Sequence, residues 1–243
     1  MKNVVHHLIN VADPKRAYSV ARFKRDAKKA IEDIVKQGKL PIVVGGTGFY
    51  IDALLTDMSF PDVLPDSKLR ARLAKLSTRE LYQALIKLDP DRAEIIDKNN
   101  PVRLIRAIEV ASHAGPVSPL TTSSPYDVFY IGLGAENELL KESIGKRLGK
   151  RMHSGMLAEF KQLHAQGLSW KRMEALGLEY RYGARLLQGM ITREEFNVEL
   201  SREIFRYAKR QMTWFKRNKQ IVWVDIKNTG DTIALAKEFL SRN

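Results

Sequence analysis

The stretch Leu40-Pro-Ile-Val-Val-Gly-Gly-Thr-Gly-Phe-Tyr50 decides how this chain is read. Leu40 to Val44 is short and continuously apolar, the pattern of a strand buried on both faces of a parallel sheet. Gly45, Gly46 and Gly48 let backbone N–H groups approach an anion, and a helix starting near Phe49 would favour negative charge at the same point. Open α/β sheets place their ligands at the carboxyl ends of the strands. Thr47 adds a hydroxyl that can donate to a phosphate oxygen or a leaving group. A tight strand-to-helix turn with a capping threonine would use the same residues, so the loop alone does not separate a site from a turn.

The flanking sequence continues an α/β rhythm. Residues 4–9 read as a short strand or an apolar entry loop. From Ser19 to Gln37 the apolar positions Val20, Phe23, Ala27, Ala30, Ile31, Ile34 and Val35 share one helical face, with Ser19 placed to cap it and Gly38 to close it. Asp66 to about Ser112 is helical throughout: Asp66 caps one helix, Ser77-Thr-Arg-Glu80 is a capping box, and Asn100-Pro101 is a cap followed by proline at the first helical position. A loop rich in Ser, Thr, Pro and Gly runs from His113 to Asp127. Val128 to Leu133 is a second buried strand. Helices occupy about Glu138 to Asn218, broken near Gly167 and Gly189. Ile221 to Val224 is a third strand and Thr232 to Leu240 a last amphipathic helix. Three strands apolar on both faces cannot cover themselves, so either helices wrap them tightly or strands are missing.

Composition excludes several classes. Of 243 residues, 44% are apolar and 28% charged, which supports a core and rules out disorder throughout. No apolar run approaches the roughly 18 residues of a membrane span, and Met1 to Asn10 lack the layout of a secretion signal. The absence of cysteine excludes disulfides, thiolate metal sites and a cysteine nucleophile. A cytoplasmic setting and a monomer are expected. The net charge is +13, and residues 141–219 alone hold 18 Lys/Arg against 8 Glu and no Asp. Such segregation suits a polyanion, most often nucleic acid, although a basic face kept for solubility would look similar.

Other patterns sharpen this. No GxxxxGK followed by Ser or Thr exists, because the Gly-Lys pairs at 38–39, 145–146 and 149–150 precede Leu, Arg and Arg. His6 and His7 are adjacent, and His153 and His164 stand apart without a carboxylate at ligand spacing, so no metal centre is expected. Lys146, Arg147, Lys150 and Arg151 form a basic helix turn that could reach over the sheet edge and neutralise phosphate. In the helix from Glu195 to Asn218, Ile204, Tyr207, Ala208, Gln211 and Phe215 make one face. Arg202, Arg206, Lys209, Arg210, Thr213 and Arg217 line the other. Cations beside aromatic rings suit an RNA strand, whereas Trp214 and Phe215 also read as core.

Taken together, His6-His-Leu-Ile9, Tyr18-Ser-Val20, Leu40 to Tyr50, Asn100-Pro-Val-Arg-Leu-Ile-Arg-Ala-Ile-Glu-Val110 and Lys209-Arg-Gln-Met-Thr-Trp-Phe215 resemble the tRNA dimethylallyltransferase family, in order and over essentially the whole chain. The resemblance implies transfer of a dimethylallyl group from its diphosphate to N6 of the adenosine at tRNA position 37. It also implies a P-loop-kinase-like parallel sheet with a large helical insertion and a lid, a channel for a flipped base, and Mg2+. Core residues 1–60 and 126–243 would hold the lid and the RNA-contact helices, and residues 62–118 the insertion.

By the same resemblance, Thr47 contacts the bridging oxygen of the departing diphosphate, Arg147 binds the diphosphate, and Gly45, Gly46 and Gly48 line its loop. Arg103 and Arg106 hold the anticodon stem-loop, with Arg70 a further RNA contact. Tyr180 and Arg181 match a Gly-Tyr-Arg tRNA segment, here interrupted by Leu178-Glu179, and Arg210, Gln211 and Thr213 complete the substrate set. The family opens with a P-loop and an Asp-Ser-x-Gln segment carrying its proposed base, and neither is found in these residues. The chain therefore resembles the family without its first several dozen residues, and impaired turnover is expected. A tRNA-binding protein that does not prenylate is the alternative.

Overall fold

The computed structural model describes residues 4–242 apart from 57, 59 and 117–123, and the side chain of Thr229. In chain order the elements are α1 (Val20–Lys36), α2 (Gly48–Leu55), α3 (Ser67–Leu73), α4 (Thr78–Leu88), α5 (Pro90–Ile95), α6 (Pro101–Ala114), β1 (Ile131–Gly134), α7 (Asn137–His153), α8 (Met156–Ala165), α9 (Trp170–Leu176), α10 (Leu178–Leu187), α11 (Arg193–Phe215), β2 (Val222–Asp225) and α12 (Thr229–Ser241). They fall into two compact units, residues 1–52 with 126–243, and residues 53–125. No helix among the described residues is long and apolar enough to cross a membrane.

Helix starts follow local side-chain chemistry. The side chains of Ser19, Asp66, Ser77 and Asn100 each accept the backbone N–H three residues on, and Ser77 with Glu80 closes both halves of a capping box. A second capping box, Thr192 with Glu195, opens the 23-residue α11. The helical stretch after residue 137 also breaks at Gly155, whose φ of 94° carries the chain from α7 into α8, a break the sequence reading did not include.

In the larger unit the core is built by helices. Ile144 and Leu148 of α7, Met156 and Phe160 of α8, Met173 of α9, Tyr182 and Ala184 of α10, and Phe196, Leu200 and Ile204 of α11 pack into one buried cluster with Leu168. Arg172 of α9 donates to the carbonyls of Pro14 and Arg16 at 2.8 and 2.6 Å, which ties the amino-terminal segment to this helical body. The smaller unit has its own cluster of Leu73, Leu81, Leu85, Ala93, Leu104 and Ile108 from α3 to α6.

Among the described residues the sheet has two parallel strands, with Ile131 opposite Val222 and Gly134 opposite Asp225. The parallel sheet and the helical content agree with the expected α/β class. The expected strand at Leu40–Val44 does not form, nor does one at residues 4–9. Ile42 is 75% and Val44 90% exposed. A strand exists only through its ladder, and among the described residues no neighbour pairs with these backbone groups.

Ile42→Lys and Val44→Lys should each alter stability by less than about 0.5 kcal/mol. Phe160→Ala should cost about 3–5 kcal/mol. Urea unfolding compares them, and a comparable loss from the lysine variants would mean that 40–44 is a packed strand.

Candidate active site and RNA-contact surface

Beyond Val44 the chain turns through Gly45–Gly48 into α2, and the carboxyl half of α11 lies directly on this turn. A Cβ on Gly46 would come within 3.0 Å of the Gln211 side chain, and one on Gly48 within 3.0 Å of the Trp214 indole. Side chains of α11 fill the space beside both glycines, a tryptophan ring at Gly48 and the flexible end of a glutamine at Gly46. At Gly45 a Cβ would meet only Ile51, at 3.8 Å.

Polar contacts hold the two segments together. The Trp214 indole N–H donates to Asp52 Oδ2 of α2 at 2.9 Å, and Phe49 meets the same indole edge-on at 6.4 Å between centroids. The exposed Thr47 hydroxyl lies 3.4 Å from that of Tyr207. Tyr50 donates to the Tyr18 carbonyl at 3.2 Å and packs on Phe23 at 5.1 Å, so α1 supports α2 from its other side. Burial pushes the Tyr50 phenol above its usual range and keeps it a donor.

Cations accompany the rings of α11 that meet this turn, and others stand on α7. Arg210 lies over the Tyr207 ring at 5.6 Å and Arg217 over the Trp214 ring at 3.9 Å. Lys209 donates to Asn137 Oδ1 at the start of α7 at 3.2 Å, and Thr213 donates to the Lys209 carbonyl at 3.1 Å within α11. On α7, Lys146 pairs with Glu142 and Arg151 with Glu179. Arg147 and Lys150 are exposed, and their side chains have no ion pair or hydrogen bond among the described residues. Of the four-cation turn read from sequence, two cations are paired with glutamates and two are without a side-chain partner among the described residues.

The fold brings Gly46, Thr47, Gly48 and Gln211 into one place, with Tyr207 and Asp52 added. Tyr207, on the face that its spacing reads as apolar, stands exposed beside Thr47, and its spacing from Gln211 and Trp214 is the signal in the sequence. Tyr180 and Arg181 lie on α10 and are engaged in the helical body. Tyr180 donates to Glu159 Oε1 at 2.6 Å, and burial followed by that carboxylate pushes its phenol up to about 12. Arg181 donates to the Glu174 carbonyl at 3.2 Å. In the smaller unit, Arg103 is exposed on α6, whereas Arg70 and Arg106 both bond the buried Glu109, a carboxylate the sequence reading left unassigned. Among the described residues no three His, Asp or Glu side chains meet at metal-ligand spacing, so they offer no dedicated Mg2+ cage.

A family model described as IPP transferase matches residues 1–218. The chain belongs to that family. It is 41% identical over 233 residues to tRNA dimethylallyltransferase 2 of Treponema denticola, covering 91% of this chain and 78% of that one. Among solved structures it resembles the full-length tRNA isopentenylpyrophosphate transferase of Bacillus halodurans, at 32% identity and a TM-score of 0.65 over 99% of this chain and 82% of that chain. It also resembles the tRNA isopentenylpyrophosphate transferase of Staphylococcus epidermidis, at 27% identity and a TM-score of 0.67, with the same coverage of both chains. The mostly helical IPP transferase fold, with its small parallel sheet and large helical insertion, is the fold of this chain.

Gly48→Ala should displace the Trp214 ring, cost about 1–3 kcal/mol and shift tryptophan emission, while Gly45→Ala should do neither. Equal behaviour of the two variants in fluorescence and urea unfolding would contradict the packing of α11 on the turn.

Proposed function

We propose that the chain acts on tRNA as a member of its family does, in transfer of a dimethylallyl group from dimethylallyl diphosphate to N6 of the adenosine beside the anticodon. The observation that carries the reading is the exposed Thr47 hydroxyl on a glycine turn packed against the cationic half of α11. Cleavage of the dimethylallyl C–O bond places negative charge on the diphosphate, and a hydroxyl donated to the bridging oxygen stabilises it. The N–H groups of the Gly45–Gly48 turn and the exposed Arg147 and Lys150 suit the remaining phosphate charge. The carbon freed from oxygen forms its new bond to N6, and the amino group loses a proton.

Arg210, Gln211 and Thr213 stand on α11, and Arg202, Arg210 and Arg217 present cations to an RNA backbone beside rings that can stack on bases. Arg70, Arg103 and Arg106 would grip the stem-loop, with Tyr180 and Arg181 as further RNA-facing positions on α10. Mg2+ keeps most of its waters and binds through substrate phosphates with one or two protein oxygens. It would accompany the diphosphate here and lower the charge on the leaving group.

RNA binding without transfer is the second reading, favoured by one observation: the exposed cations Arg103, Arg202 and Arg210 can meet an RNA backbone whether or not a diphosphate is bound. Anticodon stem-loop RNA incubated with the chain, dimethylallyl diphosphate and Mg2+ separates the two. Prenyl mass on the RNA, lowered roughly 100-fold or more in Thr47→Val and Arg147→Ala, establishes the transferase reading. Salt-sensitive binding without prenyl mass establishes the second, and loss of both overturns the tRNA assignment.

A further inference from the structure

We propose that Glu109 is a positioning residue for RNA recognition, its buried carboxylate holding the guanidinium groups of Arg70 and Arg106 as a fixed pair of phosphate donors. The inference rests on the reading of Arg70 and Arg106 as RNA contacts and adds the group that aims them.

The geometry lies wholly within residues 53–125. Glu109 is on α6 with its side chain fully buried. Its Oε1 accepts Arg70 Nε at 2.8 Å and the Asp66 backbone N–H at 2.7 Å. Its Oε2 accepts Arg70 Nη2 at 2.7 Å and Arg106 Nη1. Arg106 Nη2 donates further to the Val63 carbonyl at 3.0 Å. One carboxylate therefore ties α3, α6 and the segment before α3. The donors hold the Glu109 carboxyl well below the usual carboxylate range, at about 2, so it stays charged at any working pH.

Both arginine side chains keep about two-fifths of their surface in water, 41% for Arg70 and 40% for Arg106. Arg70 spends only the Nε–Nη2 edge of its fork on Glu109; among the described residues nothing bonds Arg70 Nη1 or Arg106 Nε. Two guanidiniums against one carboxylate retain positive charge, and their planes are set before any ligand arrives. Preorganised forks bind phosphate with less ordering at the moment of contact than long, freely rotating side chains do. Arg103 precedes Arg106 by one helical turn on α6, is exposed, and extends the same line of cations.

The test is titration of anticodon stem-loop RNA across a salt series. Arg70→Ala and Arg106→Ala come first: affinity equal to the parent would overturn the underlying RNA reading itself. With that reading in place, Glu109→Gln decides the inference. It keeps the side-chain shape and adds one positive charge, so charge attraction alone requires equal or tighter binding. Positioning requires binding about tenfold weaker, with a slope of log K against log salt shallower by about one phosphate contact. Circular dichroism checks that the variant is folded. Arg70→Lys serves if it is not, because lysine keeps the charge but cannot form the two-bond fork to Glu109; it too should bind several-fold more weakly. Parent-like or tighter binding of a folded Glu109→Gln, or of Arg70→Lys, would overturn the proposal.

Discussion

Gly46 and Gly48 have no side chains, and α11 occupies the space this leaves. Gln211 sits where a Cβ on Gly46 would project, and the Trp214 ring where one on Gly48 would project. At Gly48 the obstacle is the Trp214 ring, which cannot yield by much, so overpacking there is costly; at Gly46 it is the flexible end of Gln211, which can swing aside. Two consequences follow from the one contact. The glycine turn is braced by a long helix rather than left as a mobile loop, and the cations of α11 are placed at a set distance from the Thr47 hydroxyl. The Trp214–Asp52 hydrogen bond and the Tyr207–Thr47 approach lie on the same surface and fix its register.

The remaining charges divide into those held by the fold and those whose side chains have no partner among the described residues. Lys146, Arg151, Arg185 and Arg206 are paired with glutamates, mostly at the surface where such pairs add little stability. Arg70 and Arg106 are held by a buried carboxylate, which is a different situation: removing that partner would leave guanidiniums without their bonds and an open space in α6 packing. Arg147, Lys150 and Arg103 have exposed side chains with no such restraint among the described residues. The excess of +10 in residues 141–219 is thus distributed unevenly, and sequence counts alone do not show which cations are available.

Much of the helical layout was legible because it is local. Ser19, Asp66, Ser77 and Asn100 act on N–H groups three residues away, so the sequence displays the whole interaction. The Ser154-Gly155 break was equally local, and its signal was present. The segment Leu40–Val44 misled because a strand is a property of two segments: its apolar run has the composition of a buried strand, yet pairing depends on residues elsewhere. Glu109 was illegible for a related reason. An acidic residue inside a helix is usually solvated, and its burial is explained by partners that come mostly from elsewhere, Arg70 from 39 residues earlier and the Asp66 N–H from 43, with Arg106 beside it. The Arg-Gln-x-Thr-Trp-Phe pattern identified the family and the right helix, but not that Gln211 and Trp214 fill the glycine turn.

The account stands on the glycine turn and α11 being one site. Amide hydrogen exchange of the chain with and without inorganic diphosphate tests this most directly. The account predicts that diphosphate slows exchange at residues 45–50 and, together with it, at residues 207–215 of α11. Protection confined to the turn, or no protection at the turn at saturating diphosphate, would contradict it.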